Sequence, residues 1–311
     1  MAGYTFLTFP DIKRLLSFYD LGRLLKTEQM KGGQANSSYK VNTEKGVFIL
    51  SVCDEKNAEE VDCLTRILSH LNQNNFPTSR PIQALDGKLL IQHEDKPVYI
   101  KEYIDGVVVQ DLSEQMLFQV GQVVSDLHSI PPLAIIPDRF PYGLESFAEL
   151  NSYEHPYINW LKERVGFLQQ EIDPDMDRGV IHGDMYWDNL LFSGDRLVAV
   201  LDFEEACHYY SLYDLGVCVI GCCSDNNGLK MEKARAFLRG YQKDRPLTDH
   251  QRTQLKVFIE YAGAAGSFWR FRQYNIRYPA HELKDYYKEL SCLADQVHAM
   301  DSDKFLEYCQ V

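Results

Sequence analysis

One stretch of the chain constrains its fold more than any other. Residues 180–204, VIHGDMYWDNLLFSGDRLVAVLDFE, place Asp184, Asn189 and Asp202 among apolar runs, at separations of five and then thirteen residues. The apolar runs predict a strand, a polar loop and two further strands, the last of which ends at Asp202. Because adjacent strands share an edge of their sheet, we expect Asn189 and Asp202 at the same edge, with Asp184 in the loop.

These residue types suit one kind of chemistry. A carboxylate and an amide oxygen are hard ligands that suit Mg²⁺, and a separate carboxylate can accept a proton from an attacking hydroxyl. Together they form the set used in phosphoryl transfer. The alternative is a polar turn of His182, Asp184 and Asp188, with Asp202 capping a helix. The fixed spacing of H-G-D-x-x-x-x-N followed by D-F favours the functional interpretation.

Composition excludes some classes of protein. The chain has 311 residues, of which 45% are hydrophobic and 25% are charged, as is ordinary for a globular protein. Its net charge of -13 argues against a nucleic-acid partner, which would require a basic face. A phosphate ligand stays compatible with this charge, because phosphate sites depend on local amides and metal ions.

Cysteine usage and apolar runs bear on the compartment. The eight cysteines lack paired C-x-x-C spacing and lie mostly in apolar runs, so we expect reduced, buried thiols. The start of the chain has no apolar run of the signal-peptide kind, and LGVCVIGCC is too short to span a bilayer. We therefore expect a soluble, cytoplasmic protein without a membrane partner; the oligomeric state stays open.

The periodicity of the chain predicts two lobes. Residues 11–28 have the spacing of one or two amphipathic helices, and residues 57–74 have that of another helix, with Asn57 as its cap. Between and after them lie strand pairs, and beyond Asp111 the pattern is mainly helical. We expect an α+β fold with a small, strand-rich lobe over residues 1–105 and a larger helical lobe over residues 106–311.

The H-G-D-x-x-x-x-N and D-F motifs resemble the signature of the aminoglycoside phosphotransferase/choline kinase family, relatives of the protein kinases. The resemblance implies a bilobal, protein-kinase-like fold with an antiparallel sheet in the small lobe. It also implies ATP and Mg²⁺ as cofactors and a small-molecule hydroxyl as the phosphate acceptor. Asp184 would be the catalytic base, Asn189 and Asp202 would hold Mg²⁺, and His182 would brace the loop.

Further segments resemble the type II homoserine kinases within that family. They are FYDLGRLL, NSSYKVNTEKGVFILSV, YDLG at 213–216 and GYQKDRPLT at 240–248. This resemblance implies L-homoserine as the acceptor. Two alternatives stay open: a kinase of aminoglycosides or choline-like amino alcohols, and a nucleotide-binding pseudokinase.

The nucleotide would be bound by the small lobe. GGQANSSY offers close backbone approach at Gly32 and Gly33 and polar donors at Asn36, Ser37 and Ser38, although a hairpin turn has a similar composition. The hinge would be YIKEYIDG, where backbone groups around Glu102 and Ile104 could pair with adenine.

One position departs from the kinase pattern. Kinases carry a phosphate-binding lysine on the strand written V-A-I-K, and the matching position in VFILSVC is Ser51. Lys40, one strand earlier, is a candidate replacement; the alternative is an ordinary surface lysine.

The acceptor would be bound by the helical lobe. GSFWRFRQYNIRYP contains Arg270, Arg272 and Arg277, any of which could bind a carboxylate, and an amphipathic helix with surface arginines is the alternative. Asp188 and Glu205 are candidates for binding an ammonium group. A further acidic residue, Asp214, is interpreted as a structural carboxylate that braces the catalytic loop.

Overall fold

A computed structural model of the chain describes residues 5–30, 36–225 and 228–309. The chain forms two compact units, with the boundary between Gly106 and Val107. Residues Val198–Leu201 belong to the first unit.

The first unit contains two helices and a five-stranded antiparallel sheet of order β1-β2-β3-β5-β4. Its elements are α1 (Phe9–Leu16), β1 (Leu24–Gln29), β2 (Asn36–Thr43), β3 (Gly46–Cys53), α2 (Ala58–Gln73), β4 (Leu90–His93) and β5 (Lys96–Glu102). The predicted hairpins are confirmed.

Alternation along β2 gives the sheet one apolar and one polar face. Tyr39 and Val41 are buried and belong to one apolar cluster with Ile12 and Leu15 of α1, whereas the residues between them are only half-buried. Because successive side chains of a strand point to opposite faces, Ser38 and Lys40 lie on the face away from that cluster.

The helices of the first unit agree with the sequence pattern in part. Helix α2 is confirmed, and Asn57 caps it in a reciprocal capping box with Glu60. The prediction of helix over residues 11–28 is wrong beyond Leu16. Gly22 has a φ of +75°, which turns the chain into strand β1 rather than into a second helix.

The second unit is mainly helical. Its strands are β6 (Val107–Val108), β7 (Arg178–Ile181), β8 (Leu190–Ser193), β9 (Arg196–Val200), β10 (Cys207–Tyr210), β11 (Ser224–Asp225) and β12 (Gly228–Leu229), with the end of β9 in the first unit. Its α-helices are α3 (Glu114–Ser129), α4 (Pro156–Glu171), α5 (Ser211–Cys222), α6 (Met231–Gln242), α7 (Asp249–Phe271), α8 (Tyr287–Ala299) and α9 (Ser302–Cys309). Short 3₁₀ segments lie at Leu144–Leu150 and Trp187–Asn189, and a π-helix at Arg272–Arg277.

The strands on either side of the catalytic loop have the expected order. β6, β8 and β9 form a three-stranded sheet, and β7 pairs with β10. Asn189 directly precedes β8, and Asp202 follows β9 by two residues, so the connection between neighbouring strands brings both to one end of that sheet. Beyond Asp111 the mainly helical pattern is confirmed, with α5, α6 and α7 among its helices.

Helices α3 and α6 touch through their backbones. A Cβ atom added to Gly121 of α3 would lie 2.1 Å from the Phe237 carbonyl oxygen, and one added to Gly240 of α6 would lie 1.9 Å from the Phe118 carbonyl oxygen. These distances are far below van der Waals contact, so the crossing requires glycine on both helices.

Two further features of the structure concern membrane spans and cysteines. No helix in the described ranges is both long and apolar enough to cross a membrane. The cysteines at positions 53, 207, 218, 222 and 223 are free and buried, as expected, whereas the free thiols of Cys63 and Cys292 are half-buried and exposed.

The α3–α6 crossing gives a test of packing. Gly121→Ala must push two backbones apart and is expected to lower the free energy of unfolding by at least about 2 kcal/mol. Gly166→Ala in α4 is the matched control, because its added Cβ meets nothing within 4 Å. An alanine there should stabilise the helix by about 1 kcal/mol. Urea denaturation of both variants measures the difference, and equal midpoints would contradict the packing argument.

Candidate active site

The loop between β7 and β8 holds Asp184 through its own backbone. The Asp184 N–H donates to Nδ1 of His182 at 3.2 Å, and the Asp184 carbonyl accepts the Tyr186 N–H at 3.0 Å. These bonds form a tight polar turn, and they fix the direction in which the half-buried Asp184 carboxylate leaves the chain.

Asn189 is tied to the same turn. Its Nδ2 donates to the Asp184 carbonyl at 2.8 Å and to the Asp184 carboxylate at 3.3 Å. With the nitrogen turned towards Asp184, the Oδ1 atom is the one left to bind a ligand. That is the atom a hard metal ion requires.

Asp202 has a backbone conformation that is uncommon outside glycine. Its φ is +63°, in the left-handed region, which aspartate adopts more often than most other non-glycine residues. The side chain is exposed although its neighbour Phe203 is buried. Local strain of this kind concentrates at functional sites, where the surrounding structure maintains it.

His182 connects the two motifs. It is fully buried, and its ring packs on the ring of Phe203 with centroids 4.5 Å apart. His182, at the start of the turn, thus contacts Phe203, which directly follows Asp202. This packing joins the segment of Asp184 to that of Asp202, which is compatible with the bracing role predicted for His182.

Asp214, in the first turn of α5, holds the loop through hydrogen bonds to its backbone. Its carboxylate is fully buried and accepts hydrogen bonds from the N–H groups of His182, at 2.7 Å, and Gly183, at 2.8 Å. Nε2 of His128 lies 3.3 Å from the same carboxylate. These contacts give Asp214 the expected structural role, because its carboxylate braces the loop.

Gly183 cannot carry a side chain. Its φ is +82°, and an added Cβ would lie 2.9 Å from the Phe140 ring and 3.0 Å from the carbonyl oxygen of Glu205. The second position of the H-G-D motif is thus enclosed by residues from two other segments. This close approach brings Glu205 beside the Asp184 turn.

The carboxylates of the site repel each other. The pKa of Asp184 is raised to about 8, mainly by burial and then by the charges of Asp202, Glu205 and Asp188, whereas the hydrogen bond from Asn189 lowers it. Burial also raises the pKa of Asp188. A cation held near Asp202 would lower the pKa of Asp184 again. The cluster of carboxylates therefore favours the binding of a cation.

The donor set fits a magnesium ion that shares its coordination with substrate. Within the described ranges, no three His, Cys, Asp or Glu side chains converge closely enough to hold a metal ion by themselves. Mg²⁺ commonly takes one or two protein ligands together with water and substrate phosphates. The carboxylate of Asp202 and Oδ1 of Asn189 are of the kind that it uses.

In the first unit, a pair of serines occupies the polar face of the sheet. Ser38 of β2 pairs with Ser51 of β3, and their hydroxyl oxygens are 3.2 Å apart. Ser51 is buried and neutral where the kinase pattern has a lysine. No cation stands at that position of β3.

Lys40 shares this face with Ser51 but lies farther along the strand. It pairs with Ile49, two residues from the Ser38–Ser51 pair, or about 7 Å at the rise of a β-strand. Its Nζ lies 3.6 Å from the ring centroid of Tyr103, in the segment expected to be the hinge. Lys40 is therefore neither a solvated surface lysine nor adjacent to Ser51.

The other residues of the small lobe that were expected to bind the nucleotide do not share one face of the sheet. Ser37 lies on the buried face, where its hydroxyl donates to Asp54 at 2.6 Å, whereas Ser38 lies on the opposite face. Asn36 begins β2 on the polar face. Gly32 and Gly33 lie outside the described residues.

The expected hinge follows the edge of β5. The Glu102 side chain pairs with Arg80, and its N–H donates to the Arg80 carbonyl at 2.9 Å. The Tyr103 N–H donates to the carbonyl of Val47 at 3.2 Å, and Ile104 follows half-buried. The segment is therefore anchored to its own sheet immediately before Ile104.

Among the acceptor candidates, Arg270 is already engaged. Its Nη1 donates to Glu289 at 2.7 Å and to the Tyr286 carbonyl at 3.3 Å, and its guanidinium stacks on Tyr286. Asp188 is exposed near Asp202, and Glu205 accepts a hydrogen bond from the Tyr142 hydroxyl at 3.3 Å. Arg277 is exposed.

Sequence reasoning did not identify Tyr142. The segment FPYGLESF has no periodicity or motif that distinguishes this tyrosine from others in the chain. Its position beside Glu205 and Arg272 depends on contacts between residues distant in sequence.

The sequence matches the model of a phosphotransferase enzyme family over residues 26–255, well over half of the chain. The chain therefore belongs to this family of phosphotransferases, and it is a small-molecule kinase.

One relative and two solved structures resemble the chain over most of its length. A homoserine kinase from Methylobacillus flagellatus is 28% identical, covering 90% of this chain and 89% of the relative. The structure of an amicoumacin kinase in complex with AMP-PNP, Ca²⁺ and Ami aligns with a TM-score of 0.74 at 15% identity, covering 94% of this chain and 95% of that one. A microcompartment-associated aminopropanol kinase aligns with a TM-score of 0.72 at 17% identity, covering 94% and 98%. These structures confirm the predicted fold class.

The Asp214 network predicts a specific loss of stability. Asp214→Asn keeps the shape of the side chain but turns one acceptor oxygen into a donor, which then faces buried N–H groups. We expect the free energy of unfolding to fall by about 3 kcal/mol or more. Urea denaturation measures it, with Asp138→Asn as the control because that side chain is 89% exposed. An unfolding midpoint equal to that of the wild type would show that Asp214 does not hold the loop.

Proposed function

We propose that the protein is an ATP- and Mg²⁺-dependent kinase that phosphorylates the side-chain hydroxyl of L-homoserine. The observation that carries the proposal is the turn in which Asn189 holds Asp184, next to an Asp202 kept in a strained conformation. Base, amide and second carboxylate are the parts that phosphoryl transfer requires. The homoserine kinase relative, which matches over nine-tenths of the chain, supports the choice of acceptor.

Asp184 acts on the acceptor hydroxyl in this proposal. The hydroxyl oxygen forms a bond to the γ-phosphorus of ATP while the bond to the oxygen that bridges to the β-phosphorus breaks, and ADP leaves. The hydroxyl proton passes to Asp184. Asn189 and the backbone of the turn keep the carboxylate in line with the hydroxyl, so orientation contributes together with basicity.

Asp202 and Asn189 would hold the metal ion. When bound, Mg²⁺ neutralises charge on the phosphates of the nucleotide. The strained backbone of Asp202 and the packing of Phe203 on His182 keep the Asp202 carboxylate in place without requiring the metal ion. The nucleotide itself would lie on the polar face of the first unit's sheet, near Ser38, Lys40 and Ser51, with the backbone at Glu102 and Ile104 facing its base.

Two other functions have observations in their favour. The acidic residues Asp188 and Glu205 would suit a cationic acceptor such as an amino alcohol or an aminoglycoside, and the fold is shared with an aminopropanol kinase. The serine at position 51 would suit a nucleotide-binding pseudokinase. The presence of Asp184, Asn189 and Asp202 in one site weighs against the pseudokinase, because such proteins lack part of this set.

The proposed roles of Asp184 and Asp202 differ in what they should change. Asp184→Asn should lower kcat by at least about 10²-fold and leave the affinity for ATP near that of the wild type, because Asp184 acts on the acceptor. Asp202→Asn removes a charge from the metal site, so ATP should bind more weakly and require more Mg²⁺. Turnover and calorimetric titration of ATP at several Mg²⁺ concentrations measure both effects.

Asp249→Asn serves as the control for these variants, because this fully exposed side chain carries the same charge outside the site. Turnover of Asp184→Asn close to that of the wild type would exclude it as the base. An unchanged Mg²⁺ dependence of Asp202→Asn would leave Asp202 a structural role only.

A panel of acceptors with γ-labelled ATP tests the proposed function directly. The panel contains L-homoserine, choline, aminopropanol and an aminoglycoside, and Asp184→Asn controls for non-enzymatic transfer. We expect L-homoserine to be preferred in kcat/KM by on the order of 10²-fold, because a site with paired charges rejects acceptors that leave them unpaired. Transfer to choline or an aminoglycoside with homoserine inert would favour the first alternative. ATP binding without transfer to any acceptor would favour the pseudokinase.

A further inference from the structure

Arg272 is a buried cation with little to balance it. The side chain is about nine-tenths buried, and within the described part of the chain its guanidinium makes one hydrogen bond, from Nη1 to Glu149 at 3.1 Å. Glu149 is itself about half exposed, and Nε of Arg272 is buried without a partner. Because buried polar groups are normally hydrogen-bonded, the guanidinium of Arg272 has donor capacity that its ion pair with Glu149 does not use and that a bound anion could use.

The surroundings of Arg272 lead to the catalytic turn. Its guanidinium lies 5.5 Å from the ring centroid of Tyr142, whose hydroxyl donates to Glu205. The Glu205 backbone in turn encloses Gly183, next to Asp184. Burial raises the pKa of Tyr142, as do the charges of Glu205 and Asp184, whereas Arg272 lowers it, so Tyr142 lies between a positive and a negative end.

The other two arginines of this segment differ from Arg272. Arg270 is about as buried, but it donates both to Glu289 and to the Tyr286 carbonyl and stacks on Tyr286, and Arg277 is exposed. Arg272 is also the first residue of the π-helix Arg272–Arg277. Such turns are rare in proteins and frequently mark functional sites.

We propose that Arg272, Tyr142 and Glu205 form the acceptor-recognition site and select an amino acid that carries a side-chain hydroxyl. Arg272 binds the α-carboxylate, Glu205 binds the α-ammonium group, and Tyr142 separates the two while its ring covers the α-carbon. The hydroxyl then extends to Asp184. This inference rests on the proposed function and adds the residues that determine its specificity.

The charges explain why the site prefers a zwitterion. A cation without a carboxylate would contact Glu205 but leave the unused donors of the buried Arg272 without an acceptor, and a hydroxy acid without an amine would lose the contact with Glu205. Each unpaired buried charge costs far more than an exposed one. Arg272 therefore determines the preference for amino acids over amino alcohols.

An acceptor-by-variant comparison tests the role of Arg272. Arg272→Gln should lower kcat/KM for L-homoserine by on the order of 10²-fold and leave kcat/KM for L-homoserinol, which lacks the carboxylate, within about threefold of the wild type. The KM for ATP should not change. Arg272→Lys should recover part of the activity, because it restores the charge but not the bidentate geometry.

Glu205→Gln gives the reciprocal measurement. It should lower kcat/KM for L-homoserine much more than kcat/KM for 4-hydroxybutyrate, which lacks the ammonium group. Arg239→Gln, an exposed arginine of α6, is the control for loss of an arginine. A structural role of Arg272 would lower kcat/KM for L-homoserine and L-homoserinol by the same factor, and that result would overturn the inference.

Failure of the proposed function can be told apart from failure of this inference. If the wild type ignores L-homoserine but phosphorylates another hydroxy amino acid, the proposed acceptor is wrong and the recognition site stands. If every accepted substrate lacks an α-carboxylate, the recognition site is wrong. Thermal melting of Arg272→Gln and Glu205→Gln identifies any variant that fails to fold, and Arg272→Lys then carries the comparison.

Discussion

In the first turn of α5, the carboxylate of Asp214 is enclosed by protein and accepts hydrogen bonds from the backbone N–H groups of His182 and Gly183. A buried carboxylate is tolerated only while its partners stay in place, so the carboxylate and the loop fix each other. His128 of α3 contacts the same carboxylate through Nε2 and the Tyr241 hydroxyl of α6 through Nδ1. One hydrogen-bond network thus connects three helices to the turn that presents Asp184, and the position of Asp184 follows from the helical core.

The loop that Asp214 supports holds groups that oppose one another. Asp184, Asp188, Asp202 and Glu205 are close enough for their charges to raise the pKa of Asp184, and Asp202 has an unfavourable backbone conformation. Neither feature stabilises the fold. Both are maintained by the rigid packing around them, chiefly the contact of His182 with Phe203. In the proposed function, the binding of a metal ion would relieve this repulsion.

The parts of the site that follow from local spacing could be predicted. The separation of Asp184 and Asn189 is set by one turn and a short 3₁₀ segment, and the separation of Asn189 and Asp202 by a hairpin. Helices α2 and α5 to α7 follow from apolar periodicity. The face of the sheet on which each strand residue lies was harder to predict, because neighbouring residues of a strand point to opposite faces. Ser37 lies on the buried face and Ser38 on the polar one. The partners of Arg272 come from segments more than a hundred residues away, and no spacing rule connects them.

The serine at position 51 has a consequence for the chemistry of labelling. Reagents that attach to ATP-binding proteins often place an acyl group beside the phosphates, where an amine attacks it. On the sheet of this protein, β3 offers a hydroxyl pair at Ser38 and Ser51 instead. Lys26, Lys40 and Lys101 lie on the same face, and the Nζ of Lys40 lies over the ring of Tyr103. If the nucleotide binds this face as proposed, a reactive nucleotide would label a lysine of β1, β2 or β5 rather than a residue of β3. The site of attachment would then distinguish this arrangement from that of a kinase with a lysine on β3.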